Sequence, residues 1–174
     1  MHGCDVALRF SAYSFLRIAQ VFIVMLALCQ ASFVSAAGPH DFTSDGCSLF
    51  PDGTVADRAK WCDCCFEHDI AYWRGGTQDE RRAADARLKE CVLDRTKNAA
   101  LAEMMYLGVR AGGHPAFPTW YRWAYGWQYG RGYEPLTDEE RRQTDERLAE
   151  YRRRHPAGYC GEHRLLREKK KDEQ

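Results

Sequence analysis

One predicted helix carries side chains that could do acid–base and metal chemistry side by side. Cys64, Cys65, His68 and Tyr72 share one face of it, because residues three and four apart are neighbours on a helix. Asp69 is rotated one step away, so its carboxylate can serve a different partner. A histidine that acts as a base beside a carboxylate that holds a hard cation needs this divergence.

Two helices are predicted to position these residues. The first covers residues 57–73, with Asp57 as a candidate N-cap and Gly75 as part of its stop. The second covers residues 77–109 and opens with the capping-box pattern that begins at Thr77. The short reversal between them predicts an antiparallel hairpin.

One register of that hairpin brings two pairs of residues together. Cys64 would lie opposite Cys91, and His68 would lie opposite Asp85. A disulfide and a histidine–carboxylate pair could therefore form at the same time.

The N-terminus has the pattern of an export signal. Arg9 and Arg17 precede an apolar stretch, and the segment ends in small residues up to Ala36. We therefore expect residues 1–36 to be a signal peptide and the protein to be secreted or periplasmic. An uncleaved membrane anchor is the alternative.

Export would leave six cysteines in the mature chain. An even number in a short exported chain predicts a disulfide framework, although many pairings are possible. A zinc site is the alternative interpretation, because Cys62, Cys64, Cys65 and His68 are closely spaced. The six residues are Cys47, Cys62, Cys64, Cys65, Cys91 and Cys160.

The remaining sequence predicts one domain, residues 38–161, followed by a charged and frayed tail, residues 162–174. A second capping-box pattern at Thr137 starts a C-terminal helix that should end before Pro156. With 25 basic and 25 acidic residues, the chain lacks the excess of positive charge expected of a nucleic-acid partner.

An aromatic segment, residues 120–133, has two interpretations. Trp120, Trp123 and Trp127 could contact a membrane interface, where tryptophan is favoured. Alternatively, these rings cover the core of a small domain.

The two helices resemble those of secreted calcium-dependent phospholipases A2, a family with a Cys-Cys-x-x-His-Asp-x-Cys-Tyr helix and a Cys-Asp-x-x-x-x-x-Cys helix. The resemblance covers residues 45–91, and the loop before the first helix looks more like that of bacterial members. Two alanines stand where animal members have a pair of bridged cysteines, so both halves of one bridge are absent together. The matching segments are Cys64-Cys65-x-x-His68-Asp69-x-Ala71-Tyr72 and Ala84-Asp85-x-x-x-x-x-Cys91.

The resemblance implies a mainly α, disulfide-stapled domain that hydrolyses the sn-2 ester of glycerophospholipids at a membrane surface. His68 would be the general base, Asp85 would hold its imidazole, and Tyr72 would orient Asp85. A catalytically inactive relative that binds a membrane or a protein is the alternative. The sequence does not indicate an oligomeric state.

The resemblance also implies a calcium site and a set of disulfides. Asp69 and Asp45 would supply carboxylates to the ion, and Gly46 and Ser48 would supply carbonyls, since calcium prefers hard oxygen ligands. The implied pairs are Cys47 with Cys65 and Cys64 with Cys91, which leaves Cys62 and Cys160 as a third pair.

Overall fold

Helices make up the ordered framework of the protein. The computed structural model describes residues 38–172, and this part of the chain contains no strand. The prediction of a mainly helical domain is confirmed, whereas the predicted signal or anchor, residues 1–36, lies outside the described residues. No helix between residues 38 and 172 is long and apolar enough to cross a bilayer. The helices are α1 (Cys62–Arg74), α2 (Gln78–Thr96), α3 (Ala99–Gly112), α4 (Asp138–Arg154) and α5 (Gly158–Asp172).

Helix α1 begins five residues later than predicted. Asp57 belongs to a preceding turn, in which its backbone N–H donates to Thr54 Oγ1, so it does not cap the helix. The helix ends at Gly75, which has a φ of 72°. An added Cβ at Gly75 would lie 2.6 Å from Ala124 Cβ, so both the backbone conformation and the packing require glycine here.

Capping boxes start two of the helices, as their sequence patterns predict. Thr77 and Glu80 exchange both hydrogen bonds at the start of α2. Thr137 and Glu140 do the same at the start of α4. Each pair satisfies two backbone N–H groups that would otherwise have no partner within the helix.

The prediction of one continuous helix over residues 77–109 is wrong, because the helix is interrupted between Thr96 and Ala99. Lys97 closes α2 in the left-handed region, with a φ of 54°. Asn98 then caps α3, since its side chain accepts from the N–H of Leu101. This cap lets α3 turn back and pack against α2.

Helices α1 and α2 run antiparallel, because residues progressively later in α1 contact residues progressively earlier in α2. The disulfide from Cys64 reaches Cys91, while His68, one turn later, reaches Asp85. All six cysteines of the described residues are in disulfides, so none is a thiolate for the alternative zinc site. The bridges are Cys47 with Cys65, Cys62 with Cys160 and Cys64 with Cys91, the pairs that the resemblance implies.

The aromatic segment covers the end of α1, and its central residues are buried. Trp123 and Trp127 are only 1% and 6% exposed. Their indole N–H groups donate to the carbonyls of Gly76 and Arg74. The burial of these two tryptophans supports the interpretation that their rings cover the core. Trp120, which is 65% exposed, is the one of the three that faces outward.

The C-terminal part of the described chain is helical rather than frayed. Helix α5 extends to Asp172 and so covers most of the predicted charged tail. The disulfide between Cys62 and Cys160 ties the start of α5 to the start of α1. This bridge and the Cys64 bridge hold α1 from two sides.

Candidate functional site

His68 and Asp85 form a buried pair between α1 and α2. His68 Nε2 lies 2.9 Å from Asp85 Oδ1, and the two side chains are 8% and 0% exposed. An ionised carboxylate can only accept hydrogen bonds, so Nε2 carries the proton and Nδ1 keeps its lone pair. This is the arrangement that a histidine base with an orienting carboxylate requires.

Three further side chains surround the carboxylate of Asp85. The Tyr72 hydroxyl donates to Oδ1 over 2.8 Å and accepts from Arg81 Nε over 3.0 Å. Arg110 of α3 donates to Oδ2 over 2.6 Å. Both carboxylate oxygens are therefore held, and groups on three helices fix the direction in which Asp85 faces His68.

Burial and hydrogen bonding together set the protonation of this pair. Burial lowers the pKa of His68, and the hydrogen bond with Asp85 offsets only part of that effect. Burial opposes ionisation of Asp85, but the hydrogen bonds from His68 and Arg110 outweigh it and lower the pKa of Asp85. At neutral pH the histidine is therefore neutral and the aspartate ionised, as a general base and its partner must be.

Asp69 has a different set of partners from His68. Its side chain is 8% exposed, and Ser44 Oγ donates to its Oδ2 over 2.6 Å. Burial raises the pKa of Asp69 well above its usual range, and the nearby carboxylates of Asp45 and Asp52 raise it further. A cation beside these carboxylates would stabilise their ionised forms.

The loop before α1 brings Gly46 and Ser48 to the same cavity as Asp69. Both loop residues have positive φ angles, 76° and 46°. The Ser48 hydroxyl donates to Asp45 Oδ1 over 2.8 Å, and the Trp120 indole donates to Asp45 Oδ2 over 3.1 Å. The predicted ligands are thus close together, with both oxygens of Asp45 already hydrogen-bonded.

The donor set near Asp69 suits a hard cation. Between residues 38 and 172, no three histidine, cysteine, aspartate or glutamate side chains are arranged to hold a metal ion. A site at Asp69 would therefore combine carboxylate and backbone carbonyl oxygens, a mixture that calcium accepts. Asp69 is the buried carboxylate around which such a site would be built.

An apolar cavity of about 370 Å³ opens beside His68 and Asp69. This volume lies within the range of small-molecule sites. At Gly108, in the wall formed by α3, no atom lies within 4 Å of an added Cβ. The apolar lining includes Leu49, Phe50, Leu88, Met104, Met105 and Val109.

A second cavity, of about 580 Å³, also borders His68. Ala71 and Ala84 line it. Its lining also includes three arginines and three acidic residues, so this cavity is more polar than the first: Glu67, Arg74, Glu80, Arg87, Arg141 and Asp145.

Sequence analysis did not find the two arginines at Asp85 or the α3 wall of the cavity. Arg81 lies one helical turn before Asp85, and this spacing was a usable signal. Arg110 and the cavity wall come from α3, whose path depends on the break at Asn98. Local spacing does not predict which helix α3 packs against, because its contacts with α2 form only in the folded chain.

Together these features define a helical, disulfide-linked domain with a histidine–aspartate pair beside an apolar cavity. Comparisons with family models, curated proteins and solved structures found no match for this chain.

Proposed function

We propose that the protein is an exported, calcium-dependent hydrolase of the phospholipase A2 type. It would cleave the sn-2 ester of glycerophospholipids and release a fatty acid and a lysophospholipid. The observation that carries the proposal is the 2.9 Å contact between His68 Nε2 and Asp85 Oδ1 beside an apolar cavity that Asp69 also lines. Three disulfides are consistent with a secreted or periplasmic location.

His68 is the general base in this proposal. Its Nδ1 takes a proton from water as the water oxygen attacks the ester carbonyl carbon. Asp85 stabilises the imidazolium that forms, and Tyr72 keeps Asp85 in place. The imidazolium then returns the proton to the departing alkoxide oxygen of the lysophospholipid, which restores the neutral base.

Asp69 would hold the calcium ion, with Asp45 and the carbonyls of Gly46 and Ser48 as further ligands. When bound, calcium would supply positive charge to the ester carbonyl and to the phosphate. The buried carboxylate of Asp69 and its acidic neighbours support this assignment.

The apolar cavity would take an acyl chain, since it lies beside the base and is lined largely by aliphatic side chains. Large apolar side chains stand exposed nearby: Leu49 is 79% and Met104 is 53% exposed, and both line the cavity. Trp120 is 65% exposed beside the loop. We infer that this face meets the phospholipid surface, where tryptophan is favoured.

Hydrolysis of phospholipid vesicles by the oxidised protein tests the proposal. Fatty-acid release should require calcium, stop on addition of EGTA and be absent from His68→Gln. His155→Gln is the matched control, because His155 contacts Glu162 away from the site and its loss should leave release unchanged. Calcium-dependent release by His68→Gln would exclude His68 as the base.

A catalytically inactive binding module is the second candidate. Both oxygens of Asp45 accept hydrogen bonds from side chains, which leaves this carboxylate less available to a cation. Vesicle sedimentation distinguishes the candidates: an inactive module would bind vesicles without releasing fatty acid. Calcium titration then shows whether the vesicle binding depends on the ion.

A further inference from the structure

The second oxygen of Asp85 is held by a residue outside the hairpin. Arg110 Nη1 lies 2.6 Å from Asp85 Oδ2, and the arginine is 25% exposed while the aspartate is fully buried. Arg81 Nε is 3.8 Å from the same oxygen. Of these two cations, only Arg110 is at hydrogen-bonding distance from the carboxylate.

A fully buried carboxylate needs such a cation. Its other two partners, His68 and Tyr72, are neutral donors, and neutral hydrogen bonds compensate poorly for removing a charge from water. Charge-assisted hydrogen bonds are roughly twice as strong as neutral ones. Loss of Arg110 would therefore leave Asp85 free to turn toward Arg81 and away from His68.

Arg110 also connects Asp85 to the wall of the apolar cavity. It lies in the last turn of α3, whose residues Met105, Gly108 and Val109 line that cavity. Arg81 fixes the same turn, because its Nη2 donates to the carbonyls of Val109 and Arg110, each over 2.9 Å. The helix that an apolar chain would touch is thus bonded directly to the carboxylate behind the base.

We propose that Arg110 is a positioning residue that holds Asp85 against His68 and links the cavity wall to the catalytic pair. The expected loss of kcat rests on the proposed function, whereas the expected loss of the His68–Asp85 hydrogen bond does not. Arg110 does not touch substrate or the reacting atoms in this scheme; it acts through Asp85.

Substitution of Arg110 tests the proposal in the full-length oxidised protein. In Arg110→Met, kcat on phospholipid vesicles should fall by about 10- to 100-fold, the range found when a group that orients a metal-binding side chain is removed. KM and calcium affinity should change much less than kcat, because Arg81 still bonds the backbone at the end of α3 and Asp69 is not altered. Arg110→Lys, which keeps the charge, should recover most of the lost kcat.

Arg82→Met is the matched control, because Arg82 is an exposed arginine of α2 that pairs with Asp79 on the surface. Its kinetics should equal those of the wild type. A wild-type kcat in Arg110→Met would overturn the proposal. If Arg110→Met does not fold, Arg110→Gln replaces it with the same expected loss, and full activity of that variant would also overturn it.

Imidazole ¹⁵N NMR of His68 gives a readout that does not depend on hydrolysis. The wild type and Arg110→Lys should show a protonated Nε2 in a single environment, and Arg110→Met should lose that signal. If the wild type hydrolyses nothing but the NMR change occurs, the positioning role stands and the proposed function fails. An unchanged His68 signal in Arg110→Met would reject the positioning role.

Discussion

Gly113 lies directly against the ring of Tyr72, the residue that hydrogen-bonds Asp85. An added Cβ at Gly113 would be 2.4 Å from Tyr72 Cε1 and 2.6 Å from its hydroxyl oxygen. No side chain larger than hydrogen fits unless the tyrosine moves. The Tyr72 ring can therefore occupy its position only because the residue at the end of α3 has no side chain.

Gly113→Ala should displace Tyr72 and reduce both stability and hydrolysis. Overpacking of this kind costs about 1–3 kcal/mol of unfolding free energy. Urea unfolding and vesicle hydrolysis measure the two effects. Gly112→Ala is the matched control, because an added Cβ there would lie 3.6 Å from Tyr121 Cε2, an ordinary contact distance. Unaltered stability and activity in Gly113→Ala would show that the ring moves freely.

Gly108→Ala should instead stabilise the protein. Gly108 is inside α3 with open space at its Cβ position, and replacement of a helical glycine by alanine gains about 0.5–1 kcal/mol. Gly108→Leu should fill part of the cavity and weaken binding of a long-chain fatty acid, measured by displacement of a fluorescent probe. Ala111→Leu, on an exposed position of the same helix, should not alter that binding. Equal binding by both leucine variants would contradict the location of the chain site.

Asp69→Asn should remove calcium binding and raise the stability of the calcium-free protein. Because folding raises the pKa of Asp69, its ionisation opposes folding at neutral pH, and a neutral side chain avoids that cost. Calorimetric titration should show at least a tenfold loss of affinity, about 1.4 kcal/mol. Asp63→Asn, at a half-exposed position of α1, is the control. Wild-type calcium affinity in Asp69→Asn would exclude this residue as a ligand.

Ala71→Cys combined with Ala84→Cys should form a fourth disulfide. The two positions are in the same register of the α1–α2 hairpin as Cys64 and Cys91, and both belong to one packed cluster. Closing a loop of this length contributes about 3 kcal/mol in the chain-entropy account. Thiol titration of the denatured protein and thermal unfolding measure the bond and its effect. Each single cysteine variant is a control, and two free thiols in the double variant would show that these two positions do not have the geometry of a disulfide.

Glu140 should make the unfolding free energy fall as the solution is acidified. The hydrogen bond from Arg131 lowers the pKa of Glu140 from 4.5 to about 2. Its contribution is therefore complete above the unfolded pKa and is lost as the pH falls toward the folded value. Glu140→Gln keeps the capping box but removes the charge, so its unfolding free energy should vary less between about pH 5 and pH 2.

Glu146→Gln provides the comparison for that pH series. Glu146 pairs with Arg142 on the exposed face of α4, and surface pairs of this kind contribute little. Its pH dependence should match that of the wild type. A Glu140→Gln profile parallel to the wild type would show that Arg131 does not stabilise the ionised form.

The sequence predicted the parts of the site that local spacing determines. His68 and Asp85 could be paired because a short reversal forces α1 and α2 into an antiparallel register, and Cys64 and Cys91 are spaced to match. The fold of α3 could not be predicted in this way. Nothing in the local sequence predicts that Lys97 adopts a left-handed conformation and ends α2. The position of Arg110 depends on this helix end, because α3 begins just after it.

The burial of individual aromatic residues could not be predicted from the sequence either. Trp120 and Trp123 have identical side chains three residues apart, yet one is 65% and the other 1% exposed. Trp123 packs where the chain leaves α1, and the Gly76 carbonyl accepts its indole N–H. The Trp120 indole instead donates to the Asp45 side chain. Local sequence does not predict which backbone carbonyls will be available to accept an indole N–H in the folded protein.

The disulfide between Cys62 and Cys160 joins residues 98 positions apart, and the other two bridges close before residue 92. A protease that cuts the chain in the aromatic segment would therefore leave two pieces joined by this bond alone. The nicked protein would migrate as one species on a non-reducing gel and separate only after reduction. A protein with this connection can lose a peptide bond to a protease and still keep its C-terminal helices attached to the helix that carries His68.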